Sequence, residues 1–461
     1  MPNFFFYYIK ITKNFGDIMY STLFDFEVRQ SKVFDKMELA SILILDASPV
    51  STRTGDSDYQ YRPNSYILYL IGFEESDCHL VLTKDKDNKC ETLLFVRPRD
   101  PEKETWTGKI IGPENAKKLF KVNGTFKISE FNEWLQKNVL KYQKLYYEFG
   151  YNSALDQTLI SLFRDGIRVR NPEGPGITVI EKSTILLDPL RAIKDKKEIE
   201  IIQKTCDISV QAHLNAMKSI KPSMKEYEIE NVVNSYFRSQ GAEGPAYPSI
   251  CATGDNATIL HYITNREECK DGELFLLDAA AEYKYYSSDI TRTFPVNGKF
   301  SELQKKVYEV VLKAEKEAIK MCKIGNTNKQ INDQTIKILT EGLVELKILK
   351  GDVTKLIEEK KYTPYYMHGV GHNLGLDTHD VGPKKVFKGT KFVDKEYEPG
   401  MITTIEPGLY FSSTIEGLPE EFKGIGVRIE DDVLITENEP VVLTANVPKE
   451  ISEIESLMAS K

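Results

Sequence analysis

Three short apolar or alternating runs in the second half of this chain each end on a carboxylate: Leu274–Leu277 on Asp278, Met401–Ile405 on Glu406, and Gly426–Ile429 on Glu430. Runs of this length read as strands, so these acids sit at strand ends. Asp289 follows Asp278 across a segment that contains Tyr283, Tyr285 and Tyr286. A hairpin there would set the two carboxylates side by side. Like charges held close are costly unless a cation neutralises them or one carboxyl takes up a proton. Any one such pair, taken alone, reads more simply as a turn residue and a surface residue.

Four of the six histidines fall among these acids: His261, His368, His372 and His379. The last three lie in Met367-His368-Gly369-Val370-Gly371-His372 and its continuation Gly375-Leu376-Asp377-Thr378-His379-Asp380, where small residues let the backbone approach a site closely. By itself the cluster is as compatible with packing as with chemistry. Period-two alternation puts Arg428 and Glu430 on one strand face, so the guanidinium can sit near whatever Glu430 binds. Two Asp, two Glu and one His form a hard, oxygen-rich ligand set that suits a pair of Mn²⁺, Co²⁺ or Zn²⁺ ions better than a structural thiolate zinc. The spacing suggests a dinuclear hydrolase.

The chain has 461 residues, more than one core usually supports, and its 41% hydrophobic and 28% charged content is that of a folded globular protein. A formal net charge of -8 without a basic block argues against nucleic acid as a partner. Six scattered cysteines without a CxxC pair point to reduced thiols and a cytoplasmic protein. The apolar run Phe4–Ile9 is too short for a membrane span and lacks a signal-peptide pattern.

From about Glu27 to Leu187 the pattern is that of an α/β domain, with β-rich runs such as Ser41–Leu45 and Tyr66–Gly72. A boundary is expected near Pro189. Beyond it come a helix with Ile199, Ile202, Cys206, Val210, Leu214 and Met217 on one stripe, and a second with Ile229, Val233 and Phe237 that ends at Gly241. Ser301 and Gln304 form a capping-box signature for a further helix.

The string Asp278, Asp289-Ile290-Thr291-Arg292-Thr293-Phe294, His372, Glu406-Pro407-Gly408 and Glu430 resembles the pita-bread metallopeptidase family, with aminopeptidase P as the nearest pattern. In the first half, Arg53–Asp58, Tyr61–Ser65 and Arg97–Asp100 with Trp106 resemble that family's N-terminal domain. The resemblance implies an α/β aminopeptidase P N-terminal domain over 21–188 and an α+β pita-bread catalytic domain over 189–461. Residues 1–20 have no counterpart in the pattern.

It further implies that Asp278 binds one metal, His372 and Glu406 the other, and that Asp289 and Glu430 bridge them, with Mn²⁺ as the first expectation. A metal-bridging hydroxide would then attack the bond between the first residue of a peptide and a following proline, while Glu406 shuttles a proton. By the same resemblance His261, His368 and His379 would donate hydrogen bonds to the developing oxyanion and the proline-side carbonyl. Tyr247, Tyr410 and Arg428 would surround the proline pocket, and Asp56 would lie near the substrate's free amine. Trp106 reads either as core or as a residue serving a neighbouring subunit's site in a homodimer or homotetramer.

The form His-Gly-Val-Gly-His-Asn at His368 also resembles prolidases, which keeps Xaa-Pro dipeptides open as substrates. A metal-free binding scaffold is the reading outside the enzymes, and the five intact ligand positions argue against it. A serine or cysteine hydrolase finds neither a nucleophile elbow nor a cysteine near the histidines in sequence.

Overall fold

The structure, a computed structural model, describes Tyr20, residues 23–168 and residues 176–460. Apart from Tyr20, the N-terminal segment without a family counterpart lies outside the described residues. The chain divides into two compact units, one up to Leu190 and one from Arg191 onward.

The first unit is built on a mixed sheet of β1 (Ser41–Asp46), β2 (His79–Lys84), β3 (Cys90–Val96), β4 (Gly124–Lys127), β5 (Lys144–Tyr146) and β6 (Val179–Glu181), in the order β4-β3-β2-β1-β5-β6. β1 pairs antiparallel with β2 and parallel with β5, and its residues Ile42 to Leu45 are all buried. A strand buried on both faces reads as a continuous apolar run, which is what Ser41–Leu45 is.

Tyr66–Gly72, expected as a second β-rich run, is instead the helix Ser65–Ile71. The Asn64 side chain accepts hydrogen bonds from the Tyr66 and Ile67 amides at 2.8 and 3.3 Å, and Gly72 closes the helix at φ 68°. Residues 65 and 67 to 71 are buried, so the segment carries no period, and its caps decide between helix and strand.

The second unit opens with α1 (Lys196–Ser219) and α2 (Glu226–Ser239). Asp195 and Glu198 form a capping box on α1. Ile202, Cys206, Val210 and Met217 of the expected stripe are buried, while Ile199 and Leu214 are half-buried. Burial extends round to Thr205, Ser209 and His213, because α1 packs against α2 and also against the 281–287 region. The Ser301–Gln304 box forms and starts α3 (Glu302–Lys320). Among the described residues no helix is long and apolar enough to cross a membrane.

β7 (Ile250–Thr253), β8 (Leu274–Asp278) and β9 (Thr291–Pro295) form an antiparallel sheet in that order, with Ile250, Asp278 and Thr291 in register. The hairpin expected between Asp278 and Asp289 is longer than a single turn. Residues 281–283 and 286–287 leave the sheet and pair with each other, with Lys284 and Tyr285 at φ 51° and 62° in the turn. Asp278 at the end of one strand and Asp289 just ahead of its neighbour still come close enough for both to contact the Tyr247 hydroxyl.

β10 (Ile402–Ile405) pairs with β13 (Asp431–Leu434), and β11 (Gly408–Phe411) pairs with β12 (Ile425–Arg428). Phe275, Leu277, Ile290, Phe294, Val311, Leu409, Val427 and Ile429 share one buried core, which fixes the strand ends where the acids stand.

Candidate metal centre

Asp278 is the last residue of β8, Asp289 stands two residues before β9, Glu406 follows β10, and Glu430 sits between β12 and β13. His372 comes from a segment that runs beside β10. The Thr404 amide donates to the His372 carbonyl at 2.8 Å, and the Glu406 amide donates to the Val370 carbonyl at 2.8 Å. This close approach requires glycine at 371, where a Cβ would lie 1.9 Å from the Thr404 carbonyl oxygen.

All five side chains line one cavity of about 750 Å³. Ligand atoms of Asp289, His372 and Glu430 lie within 4.8 Å of one another. His372 Nε2 is 3.4 Å from Asp289 Oδ2 and 3.7 Å from Glu406 Oε1. Its Nδ1 is 3.0 Å from the Asn373 carbonyl oxygen, so Nδ1–H donates there and Nε2 is turned toward the acids.

Four carboxylates with one guanidinium among them are short of positive charge. Burial, and then the charges of Asp289 and Glu406, push Glu430 well above the usual carboxylate range. Burial also raises Asp289, and it raises Glu406 to about 7. Burial alone would lower His372, yet its hydrogen bond to Asp289 and the charges of Asp289 and Glu406 raise it to about 9. Asp289 and Glu406 thus draw positive charge onto the His372 imidazole. A donor set of this kind, hard, anionic and under-neutralised, fits divalent cations.

Asp278, Asp289 and Glu430 are held from behind. Tyr247 donates through one hydroxyl toward Asp278 Oδ1 at 2.6 Å and Asp289 Oδ1 at 2.5 Å. Arg428 Nη2 donates to Asp278 Oδ2 at 2.6 Å. Thr291 Oγ1 donates to Glu430 Oε2 at 2.7 Å, and the Asp289 amide donates to Asp432 Oδ2 at 3.0 Å.

Tyr247 lines the cavity, but its hydroxyl is spent on two of the acids. Tyr410, expected around the proline pocket, is fully buried and does not line the cavity. It accepts from Arg428 Nη1 at 3.1 Å and donates to His368 Nε2 at 2.7 Å. His368 Nδ1–H donates to the Gly369 carbonyl at 2.9 Å, so both ring nitrogens are occupied and no N–H is left for an oxyanion. Burial, and then the Arg428 charge, hold His368 down to about 4, which keeps it neutral.

His261 and His379 are exposed on the cavity wall, and the His379 ring packs edge-on to His372 at 4.2 Å between centroids. Arg428 is 3% exposed, yet it reaches the cavity wall beside Asp278. Asp56 lies in the first unit, at the exposed turn of the small hairpin Thr52–Asp58. Trp106 is in that unit as well, on a short helix and 88% exposed, so the core reading fails.

Thr291 and Asp432 were not singled out from the sequence. Alternation from Asp289 places Thr291 on the same face, so that signal was present. The support of the His379 segment carries no such signal. Asp380 accepts from Arg191 Nη2 at 2.6 Å and Lys194 Nζ at 2.9 Å, and Arg191 also reaches Asp377 at 2.7 Å.

A sequence model of metallopeptidase family M24 matches residues 200–437, and one of the aminopeptidase P N-terminal domain matches residues 26–146. A Xaa-Pro aminopeptidase of Haemophilus influenzae is 43% identical over 434 residues, covering 94% of this chain and 97% of that one. Zinc-substituted aminopeptidase P of E. coli in complex with product superposes with a TM-score of 0.89 at 36% identity, over 94% of this chain and 98% of that chain. An aminopeptidase of Pseudomonas aeruginosa does so with the same TM-score at 38% identity, over 94% and 97%.

Proposed function

The chain belongs to metallopeptidase family M24, with an aminopeptidase P N-terminal domain and a pita-bread catalytic domain, and on that premise we propose that it is a Xaa-Pro aminopeptidase. It removes the first residue of peptides whose second residue is proline. The observation that carries this reading is the convergence of Asp278, Asp289, His372, Glu406 and Glu430 on one cavity, in a chain that matches such enzymes over nearly its whole length. We place the N-terminal domain at 21–188 and the catalytic domain at 189–461.

Two divalent cations fit the five side chains. Asp278 would hold one, His372 and Glu406 the other, and Asp289 and Glu430 both. The oxygen-rich set favours Mn²⁺ over Zn²⁺ or Co²⁺. Bound there, the pair supplies Lewis acidity, polarising the scissile carbonyl and making hydroxide available near neutral pH.

The chain's own residues do the rest. Glu406, at the cavity wall beside His372, can accept a proton at its carboxylate and return it to the leaving proline nitrogen. His379 and His261, exposed on the cavity wall, have no ring hydrogen bond among the described residues, and they donate to the carbonyl oxygens of the substrate. Arg428 and Tyr247 fix the Asp278 carboxylate, and Thr291 fixes Glu430.

An Xaa-Pro bond has no amide hydrogen, so the site must hold it through carbonyls and ring packing. Pro248, Ile250, Leu260 and Ile263 supply an apolar wall for that packing.

The test is cleavage of Arg-Pro-Pro and Ala-Pro by the purified protein with Mn²⁺. Cleavage of Arg-Pro-Pro after its first residue, lost on chelation and in Asp289→Ala, is the expected result. Cleavage of Ala-Pro alone would make the protein a prolidase, and no cleavage with metal bound would make it a binding scaffold.

A further inference from the structure

Two basic side chains stand on the cavity wall, and their circumstances differ. Arg428 is buried and committed, with Asp278 on one nitrogen and Tyr410 on another. Lys384 is exposed, and its Nζ donates to the carbonyl oxygen of Gly371 at 3.1 Å. Among the described residues no carboxylate lies within ion-pair range of it, although the same cavity holds Asp278, Asp289, Asp377, Glu406 and Glu430. A neutral carbonyl orients an ammonium without cancelling its charge. Lys384 is thereby held beside the Gly369–His372 stretch with its charge directed at whatever enters the cavity.

On the peptidase reading the scissile end of a peptide belongs at the candidate metal centre and its proline at the apolar wall. What remains of a short substrate is a C-terminal carboxylate, an anion in need of a partner in a cavity otherwise rich in acids. We infer that Lys384 is a specificity residue that binds the C-terminal carboxylate of short peptides carrying proline at position two. This deepens the peptidase reading and rests on it. The same ammonium could take a carboxylate from an acidic side chain after the proline, so the experiment separates the two sources.

With the Mn²⁺-loaded full chain, KM is measured for Arg-Pro-Pro, Arg-Pro-Pro-amide and Arg-Pro-Glu-amide, in the unaltered protein and in Lys384→Met and Lys384→Arg. A solvated ion pair of this kind corresponds to roughly a fivefold preference for the free acid over the amide. The expected result is that preference in KM, its loss in Lys384→Met with kcat unchanged, and its return in Lys384→Arg. Equal KM values for free acid and amide in the unaltered protein overturn the inference. So does a lysine-dependent preference for Arg-Pro-Glu-amide over both. Calorimetric binding of Pro-Pro against Pro-Pro-amide reads the same difference without turnover, so it separates failure of the lysine contact from failure of the peptidase reading.

Discussion

Glu430 and Asp431 are neighbours in the chain, yet they belong to two buried acid groups that meet burial in opposite ways. Asp431 faces inward, with Arg292 Nη2 at 2.7 Å, Lys449 Nζ at 2.6 Å and the Thr444 hydroxyl at 2.6 Å. Burial would raise its carboxyl, but Arg292 and Lys449 outweigh that and hold it well below the usual range. Glu315 shares Lys449 at 2.6 Å, and burial with the Asp431 charge raises it to about 8. Glu430 faces the cavity. There the one guanidinium is tied to Asp278 and Tyr410, and burial with its acidic neighbours pushes Glu430 up. The strand opposite divides the same way, with Thr291 donating to Glu430 and Arg292 paired with Asp431. A buried acid group that the chain neutralises from its own residues serves stability. One that it leaves under-neutralised is completed from outside.

The strongest way to test that division is Asp289→Ala, which lowers Arg-Pro-Pro hydrolysis by on the order of 1000-fold and abolishes stoichiometric Mn²⁺ uptake in metal analysis. Retained turnover would separate these acids from the chemistry. Next in size is Arg292→Met, which takes one cation from the buried Asp431, leaves it with Lys449, and costs about 3 kcal/mol in urea denaturation. In the chelated protein Glu430→Gln relieves repulsion and leaves stability unchanged or higher. An equal loss in both variants would erase the contrast between the two groups.

The pH dependence follows in size. Glu406 has its folded pKa raised to about 7, so its contribution to stability is present below its ordinary range and is lost as pH rises toward 7. His372, raised to about 9, contributes fully below about 6.5 and loses that contribution as pH rises through 9. The chelated protein therefore becomes less stable from about pH 5 to 9, by a few kcal/mol, and saturating Mn²⁺ flattens the slope. Melting temperature against pH, with and without the metal, checks this, and a flat profile after chelation would show that the acids are already neutralised. The smallest effect is that of Thr291→Val. Loss of the hydrogen bond to Glu430 weakens Mn²⁺ binding about tenfold by calorimetry with little change in melting temperature.

Much of this architecture was legible because apolar runs and their terminal acids are local signals. β8, β10 and β12 lie within a residue or two of the runs that mark them, and the Ser301 box starts α3. Tyr66–Gly72 reads as a β-rich run because a segment buried nearly all round has no period, and only Asn64 and Gly72 betray the helix. Tyr410 is expected around the proline pocket by resemblance alone, and no local signal shows that the fold turns it behind His368. Arg191 and Lys194 lie 189 and 186 positions from the Asp380 they hold, and no spacing rule reaches so far.

Gly371 carries a practical consequence. Since even a methyl group at that position would run into the Thr404 carbonyl, a saturation-mutagenesis survey should score it as intolerant as His372. A map of essential positions drawn from such a survey would trace an outline wider than the reacting atoms, enclosing a residue that donates nothing to the reaction and is required only for the room it leaves.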